Sequence, residues 1–169
     1  MRGSAMDWDQ IVRENASGML RLAVRIVASS ADAEELVQDA FLKAYQYQQS
    51  TEVVNWGGLL HRFVVNCALD HLRKKRATTP LPGTGLASSA EDPAQLAEVR
   101  ELADNLRREI ARLPHQQSEV FCLSCLDGRS NQQIADALGI EKGAVATALH
   151  KARERLAASM ARLLRRGKA

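Results

Sequence analysis

The chain has 169 residues with a formal net charge of +3, a hydrophobic fraction of 46% and only 4% aromatics. That length allows one or two small domains, and that apolar content excludes global disorder. Helix-forming Ala, Leu, Arg, Glu and Gln dominate while strand-favouring residues are sparse, so the expected fold class is all-α. The three cysteines are an odd number. They argue against a disulfide framework and for a reducing, cytoplasmic setting. No stretch approaches the ~20 apolar residues that span a bilayer, so no direct membrane insertion is expected. Residues 1–5 read like an expression-vector scar, with Met6 as the natural start.

From Met6 to Arg76 the apolar residues recur at helical spacing. Trp8, Ile11, Val12, Met19, Leu22, Ala23, Ile26 and Val27 mark a first helix. Ser29-Ser30 interrupts it and offers an N-cap for the next. Ala33, Leu36, Val37, Ala40, Phe41 and Ala44 form a second stripe. Asp32, Glu34 and Glu35 sit in its first turn, where the helix dipole favours carboxylates. Gln46 to Asn55 is polar and loses the period. Trp56, Leu59, Leu60, Phe63, Val64, Cys67, His71 and Leu72 resume it, and this third helix ends in the basic run Arg73-Lys74-Lys75-Arg76.

Residues 77–95 hold prolines, glycines, serines and acids with no apolar face, which reads as a flexible linker. The chain therefore divides into residues 6–76, the linker 77–95 and residues 96–169: an N-terminal helical bundle and a C-terminal helix-turn-helix domain. In the second part Leu96, Val99, Leu102, Ala103, Leu106, Ile110 and Leu113 form a stripe closed by Pro114. Val120, Phe121 and Leu126 mark a short helix ended by Asp127-Gly128. Ser130 and Gln133 form a capping box. Ile134, Ala135 and Leu138 give the next inner face, and Gly139 stops the helix. The last helix runs from about Glu141 to Leu164, with Val145, Leu149, Ala152, Leu156, Met160 and Leu163 inward.

Ala135, Gly139 and Val145 supply the small crossing residue, the turn glycine and the apolar anchor that a helix-turn-helix needs. The second helix then presents Lys142, Thr147, His150, Lys151 and Arg155 outward, which suits a major-groove reader with phosphate contacts. An ordinary helical hairpin is the plainer alternative. Cys122 and Cys125 form a lone C-x-x-C inside an apolar stripe, where buried packing is expected and no metal is called for. No cofactor motif, P-loop, Rossmann fingerprint or nucleophile elbow is present, so no enzyme is expected.

The stretch Leu113-Pro114, Glu119-Val120-Phe121, Gly128, Ile134-Ala135, Leu138-Gly139-Ile140, Gly143-Ala144-Val145 and Leu149 to Leu156 resembles the C-terminal domain of extracytoplasmic-function (ECF) sigma factors of the sigma-70 type. Asp32 to Ala44 resembles their polymerase-binding helix. Trp56, Leu60 and Asn66 to Lys74 resemble their promoter-melting helix. The resemblance spans nearly all of residues 8–160, in order.

It implies a sigma factor with core RNA polymerase, promoter DNA and an anti-sigma factor as partners. Asp32, Glu34, Glu35 and Gln38 are implied to bind polymerase. The loop from Gln46 to Asn55, with Asn55, Trp56, Asn66, Arg73 and Lys74, is implied at the −10 element. Tyr45 or Tyr47 would add stacking there, with core packing the alternative. Residues 141–155 are implied at the −35 element. Ala146 and Ala148 stand where the family usually carries basic residues, and both are read as lying off the apolar stripe. A DNA-binding regulator that uses the second domain alone, and a helical adaptor that binds only protein, are the competing readings.

Overall fold

A computed structural model describes residues 7–77 and 92–167, and among them every regular element is helical. The reading of residues 1–5 and most of the expected linker lie outside the described residues. The linker's two ends do not: the third helix runs to Ala77 and the fourth begins at Pro93.

The first unit is a three-helix bundle of α1 (Trp8–Val27), α2 (Ser30–Gln48) and α3 (Trp56–Ala77). The Asp7 carboxylate accepts from the Gln10 N–H to start α1, and the Ser29 hydroxyl accepts from the Asp32 N–H to start α2. Each satisfies a backbone donor left over at a helix start. Met19, Leu22 and Ile26 of α1, Ala40 and Ala44 of α2 and Leu60, Val64 and Leu69 of α3 are fully buried between the helices. Trp8 plugs the open end. Its ring meets Phe41, Tyr45 and Trp56 edge-on at centroid distances of 6.2, 5.4 and 5.5 Å. Such edge-to-face contacts exploit the ring quadrupoles.

The second unit comprises α4 (Pro93–Arg112), α5 (His115–Phe121), a π-helical turn (Cys122–Leu126), α6 (Asn131–Leu138) and α7 (Lys142–Arg166). Ile110, Val120, Leu123, Ile134, Val145, Leu149, Ala152 and Leu156 form its core. The Ser130–Gln133 capping box is complete. Gly139 ends α6 at φ 66°, a left-handed conformation that glycine enters without a Cβ clash. The tight turn this allows sets α6 against α7.

Three features differ from the periodicity. Helix α2 continues to Gln48, so the connection to α3 is residues 49–55 rather than 46–55; glutamines are good helix formers and carry the helix on. Val99 and Leu102 of α4 are exposed although they continue the apolar stripe, because only the last turns of that helix reach the core. The π-helical turn adds a residue before Asp127, whose N–H bonds the Cys122 carbonyl at 3.0 Å. It changes the helical phase and leaves Cys122 buried but Cys125 exposed, so buried packing holds for one cysteine of the pair only.

The two units are in contact along α3, whose one side packs on α1 and α2 and whose other side faces α4, α5 and α6. Gly58 makes part of this possible: a Cβ there would stand 3.2 Å from the Cβ of Ala137 on α6.

Candidate nucleic-acid and protein interfaces

Lys142, Thr147, His150, Lys151 and Arg155 are all exposed on α7, opposite the buried Val145, Leu149, Ala152 and Leu156. Thr147, Lys151 and Arg155 follow one another at i, i+4 and i+8 and so form a single row along the helix. His150 Nε2 lies 3.3 Å from the Glu154 carboxylate, a contact on open surface. Surface pairs of this kind contribute only about 0.3–0.5 kcal/mol, leaving the ring available to a ligand. The alanines separate. Ala146 is exposed, away from this row around the helix, but Ala148 is only 6% exposed and belongs to the core. The reading that both lie off the apolar stripe is therefore corrected for Ala148. An alanine gives little hydropathy signal of its own, and its place in the core depends on what packs against α7.

The five residues expected at the −10 element do not form one surface. Asn55 is the structural start of α3, its side-chain oxygen accepting from the Gly58 N–H at 2.9 Å. Trp56 is part of the aromatic plug. Asn66 and Arg73 face the second unit. Lys74 is exposed at the rim of a cleft between α2 and α3 that also holds Asp32, Glu35 and Asp39. The polar reading of the 49–55 loop passed over its most prominent side chain: Val54 is 94% exposed. Tyr45 and Tyr47 are each partly committed to packing, against Trp8 and against Phe63 at 5.7 Å.

On α2, Asp32 is partly occupied with structure, its carboxylate 3.3 Å from His71 Nε2 on α3. Glu34, Glu35 and Gln38 are exposed. Leu42, not singled out from the sequence, is 62% exposed and lies one turn beyond Gln38 on the same side. The available signal was its place outside the Ala33–Ala40–Ala44 stripe: an apolar residue on the wetted side of an amphipathic helix.

The contact between units is rich in charge. His61 Nδ1 lies 2.8 Å from the Asp127 carboxylate, which also accepts from Arg129 Nε at 2.6 Å. Burial would raise the Asp127 pKa, but the hydrogen bonds from His61 and Arg129 and their charges outweigh it and hold the carboxyl below its usual range. Glu119 Oε1 accepts from Arg62 Nε at 3.1 Å and from Asn66 Nδ2 at 3.0 Å. Arg73 donates to the Ala111 carbonyl at 3.2 Å and to the Ser118 hydroxyl at 3.3 Å.

Burial also pushes the Cys122 thiol up to about 12, with smaller contributions from the Cys125 and Glu119 charges, and it raises the buried Cys67 thiol. Both remain protonated and poorly nucleophilic near neutrality. Iodoacetamide at pH 8 is therefore expected to label Cys125 alone in the folded chain, and all three cysteines in urea. Peptide mapping that finds Cys67 or Cys122 modified in the folded chain would contradict the placement of these side chains.

The described residues thus form two packed helical units, the second carrying a helix-turn-helix with a polar and basic outer row on α7. The family profile for Sigma-70 region 2 matches residues 11–78, and that for Sigma-70, region 4 matches residues 103–156. The chain is 32% identical over 159 residues to the ECF RNA polymerase sigma factor SigM of Mycobacterium tuberculosis, covering 92% of this chain and 78% of that protein. It is 30% identical over 153 residues to the ECF RNA polymerase sigma factor SigE of Mycolicibacterium smegmatis, covering 88% of this chain but 60% of that longer protein. Its fold is similar to that of CnrH in complex with the cytosolic domain of CnrY (TM-score 0.60, 22% identity, 92% of this chain and 88% of that one). It is also similar to RpoE in complex with the anti-sigma factor NepR from Bartonella quintana (TM-score 0.56, 20% identity, 91% and 96%). The chain belongs to the ECF sigma factors.

Proposed function

We propose that this chain directs core RNA polymerase to a set of promoters and is held in check by an anti-sigma factor. It acts as a regulator without catalytic chemistry, in the cytoplasm where polymerase works; no described helix is long and apolar enough to cross a membrane. The observation that carries the reading is one chain with two differently built surfaces. The α7 row of Thr147, Lys151 and Arg155 has the chemistry of a DNA contact. The α2 strip of Glu34, Glu35, Gln38 and Leu42 mixes acid, amide and an exposed apolar side chain, as a protein-docking face does.

In this reading α7 lies in the major groove of the −35 element. The 49–55 loop, with Val54 at its tip, holds an unstacked base of the −10 element by apolar contact. Asn66, Arg73 and Lys74 guide the separated strand. Single strands are commonly gripped this way, by faces and edges of bases together with cationic side chains on the backbone. The anti-sigma partner is inferred from membership of the family and from the complexes of CnrH and RpoE.

Run-off transcription with core polymerase on a promoter library tests the reading directly. The variant Leu42→Asp, on an exposed site, should keep the wild-type unfolding midpoint and bind core polymerase at least roughly tenfold more weakly, as expected of an apolar anchor in an interface. Full core affinity in that variant would remove α2 as the docking face. A chain that binds promoter DNA but never associates with core polymerase would be a helix-turn-helix regulator of another kind.

A further inference from the structure

The outer row of α7 continues past the part of the chain that the family profile describes. The match to Sigma-70, region 4 ends at residue 156, but α7 runs on to Arg166. Lys151, Arg155, Arg162 and Arg166 are spaced i, i+4, i+11 and i+15. At 3.6 residues per turn they fall within about 60° of one another around the helix. Arg165 borders the same side, in line with Thr147. All five cations are exposed, and they keep clear of Leu156, Met160 and Leu163, which are buried or half-buried. From Arg155 to Gly167 the chain carries four arginines and no acid.

Neither ion pairing nor the helix dipole accounts for this charge. Among the described residues no carboxylate pairs with Arg162, Arg165 or Arg166, and Arg162 donates to the Ser159 hydroxyl at 3.0 Å. That bond leaves most of its five N–H donors unused. The dipole favours cations in the last turn, which holds Arg165 and Arg166 but not Arg162.

We propose that Arg162, Arg165 and Arg166 form a second DNA-contacting site, which grips backbone phosphates flanking the −35 groove, outside the bases that Thr147 and Lys151 face. The proposal rests on the reading of α7 as the −35 helix.

Reach, shape and chemistry support it. The major groove is about 12 Å wide and winds around the duplex, so a straight helix leaves it within a few turns. At 1.5 Å per residue, Arg162 and Arg166 stand about 16 and 22 Å beyond Lys151 along the axis. They are past the groove floor, where the neighbouring surface is a phosphate ridge. Between Arg155 and Arg162 this side of α7 offers only the small Ala158 and Ser159, so nothing bulky holds a duplex away. Guanidinium groups bind phosphate bidentately, and such contacts hold the protein in register without reading sequence.

The test uses the full chain assembled with core polymerase, on a labelled promoter duplex kept too cold for strand opening. Arg162→Gln, Arg165→Gln and Arg166→Gln are combined. All three sites are exposed, so the unfolding midpoint and the affinity for core polymerase should stay at the wild-type values. The slope of log K against log salt should become shallower by about 2 to 3, at roughly 0.9 per phosphate contact, and affinity near 0.1 M salt should fall at least tenfold. The loss should be equal on intact and scrambled −35 elements. Phosphate-ethylation interference should show flanking positions that the wild type needs and the triple variant tolerates. The Arg→Lys triple, which keeps the charges, should retain the wild-type slope.

An unchanged slope in the Gln triple overturns the proposal. So does a triple variant whose loss is in core polymerase affinity, which would make this end of α7 a protein contact, and so does a loss confined to the intact −35 element. Lys151→Ala, measured alongside, separates the two readings. If it impairs −35-dependent transcription while the triple keeps its slope, only the phosphate site has failed. If neither variant has an effect, the placement of α7 on DNA has failed, and the phosphate site with it.

Discussion

Arginine at position 148 is expected to destabilise the second unit severely, whereas arginine at position 146 is expected to leave it stable and make it hold DNA more tightly. Ala148 is buried on α7 beside Leu149 and Ala152. A guanidinium there either loses its hydration or forces the helix off its seat. Burying an unpaired charge is among the few single changes that reach the extreme end of mutational destabilisation, about 3 kcal/mol or more. Set against a total stability of about 5–15 kcal/mol for a small protein, that is a large fraction.

Ala146 is exposed, and substitutions at such sites usually stay within about 0.5 kcal/mol. An arginine–phosphate pair formed there should steepen the slope of log K against log salt by about 0.9. Urea unfolding followed by helical circular dichroism and a salt titration of DNA binding check both halves. An Ala148→Arg chain with a wild-type midpoint would mean that α7 is rotated from the orientation described. An unchanged salt slope for Ala146→Arg would place residue 146 away from the DNA.

Loss of Lys151 should be the most damaging single truncation on the reading row. It stands between Thr147 and Arg155, at the middle of the row. If it reads a base edge, Lys151→Ala should cost about 1–3 kcal/mol, or roughly a five- to 150-fold loss of −35-dependent transcription. Because the side chain is exposed, folding should be unaffected. The informative control is a template whose −35 element is scrambled: the variant and the wild type should transcribe it equally poorly. A variant that is defective on both templates to the same degree would locate the loss in polymerase binding or melting, not in −35 reading.

The parts of this molecule that were legible in the sequence are those decided within a few residues. Ser29, Ser130 with Gln133, and Gly139 each act on backbone groups of their own turn, and each is found in the expected role. The outer row of α7 was legible for the same reason, since Val145, Leu149 and Ala152 fix its phase. What escaped was decided by distant partners. Glu119 looks like a surface acid in a short amphipathic helix, and its hydrogen-bond partners Arg62 and Asn66 are 57 and 53 residues away. Two independent domains were the natural reading of residues 77–95, and nothing local announces that α3 has a second mating side. Ala148 and Cys125 escaped for a different reason: small or intermediate side chains take the environment that helix phase assigns, and a π-helical turn shifts that phase by a residue.

Both tryptophans and both tyrosines of the chain precede Ala77. The indoles of Trp8 and Trp56 meet at 5.5 Å in the plug of the three-helix bundle. The second unit has no indole or phenol at all, and Phe121 is its one phenylalanine. Excitation at the red edge of the protein's absorption therefore illuminates one half of the molecule and leaves the half that carries α7 dark. Emission will follow the melting of the bundle, while peptide-bond signals follow both halves. Superimposable curves would mean that the two units melt as one cooperative body; separated curves would give each unit its own transition. The uneven placement of four rings thus makes the unmodified chain a reporter of how strongly its two halves depend on one another.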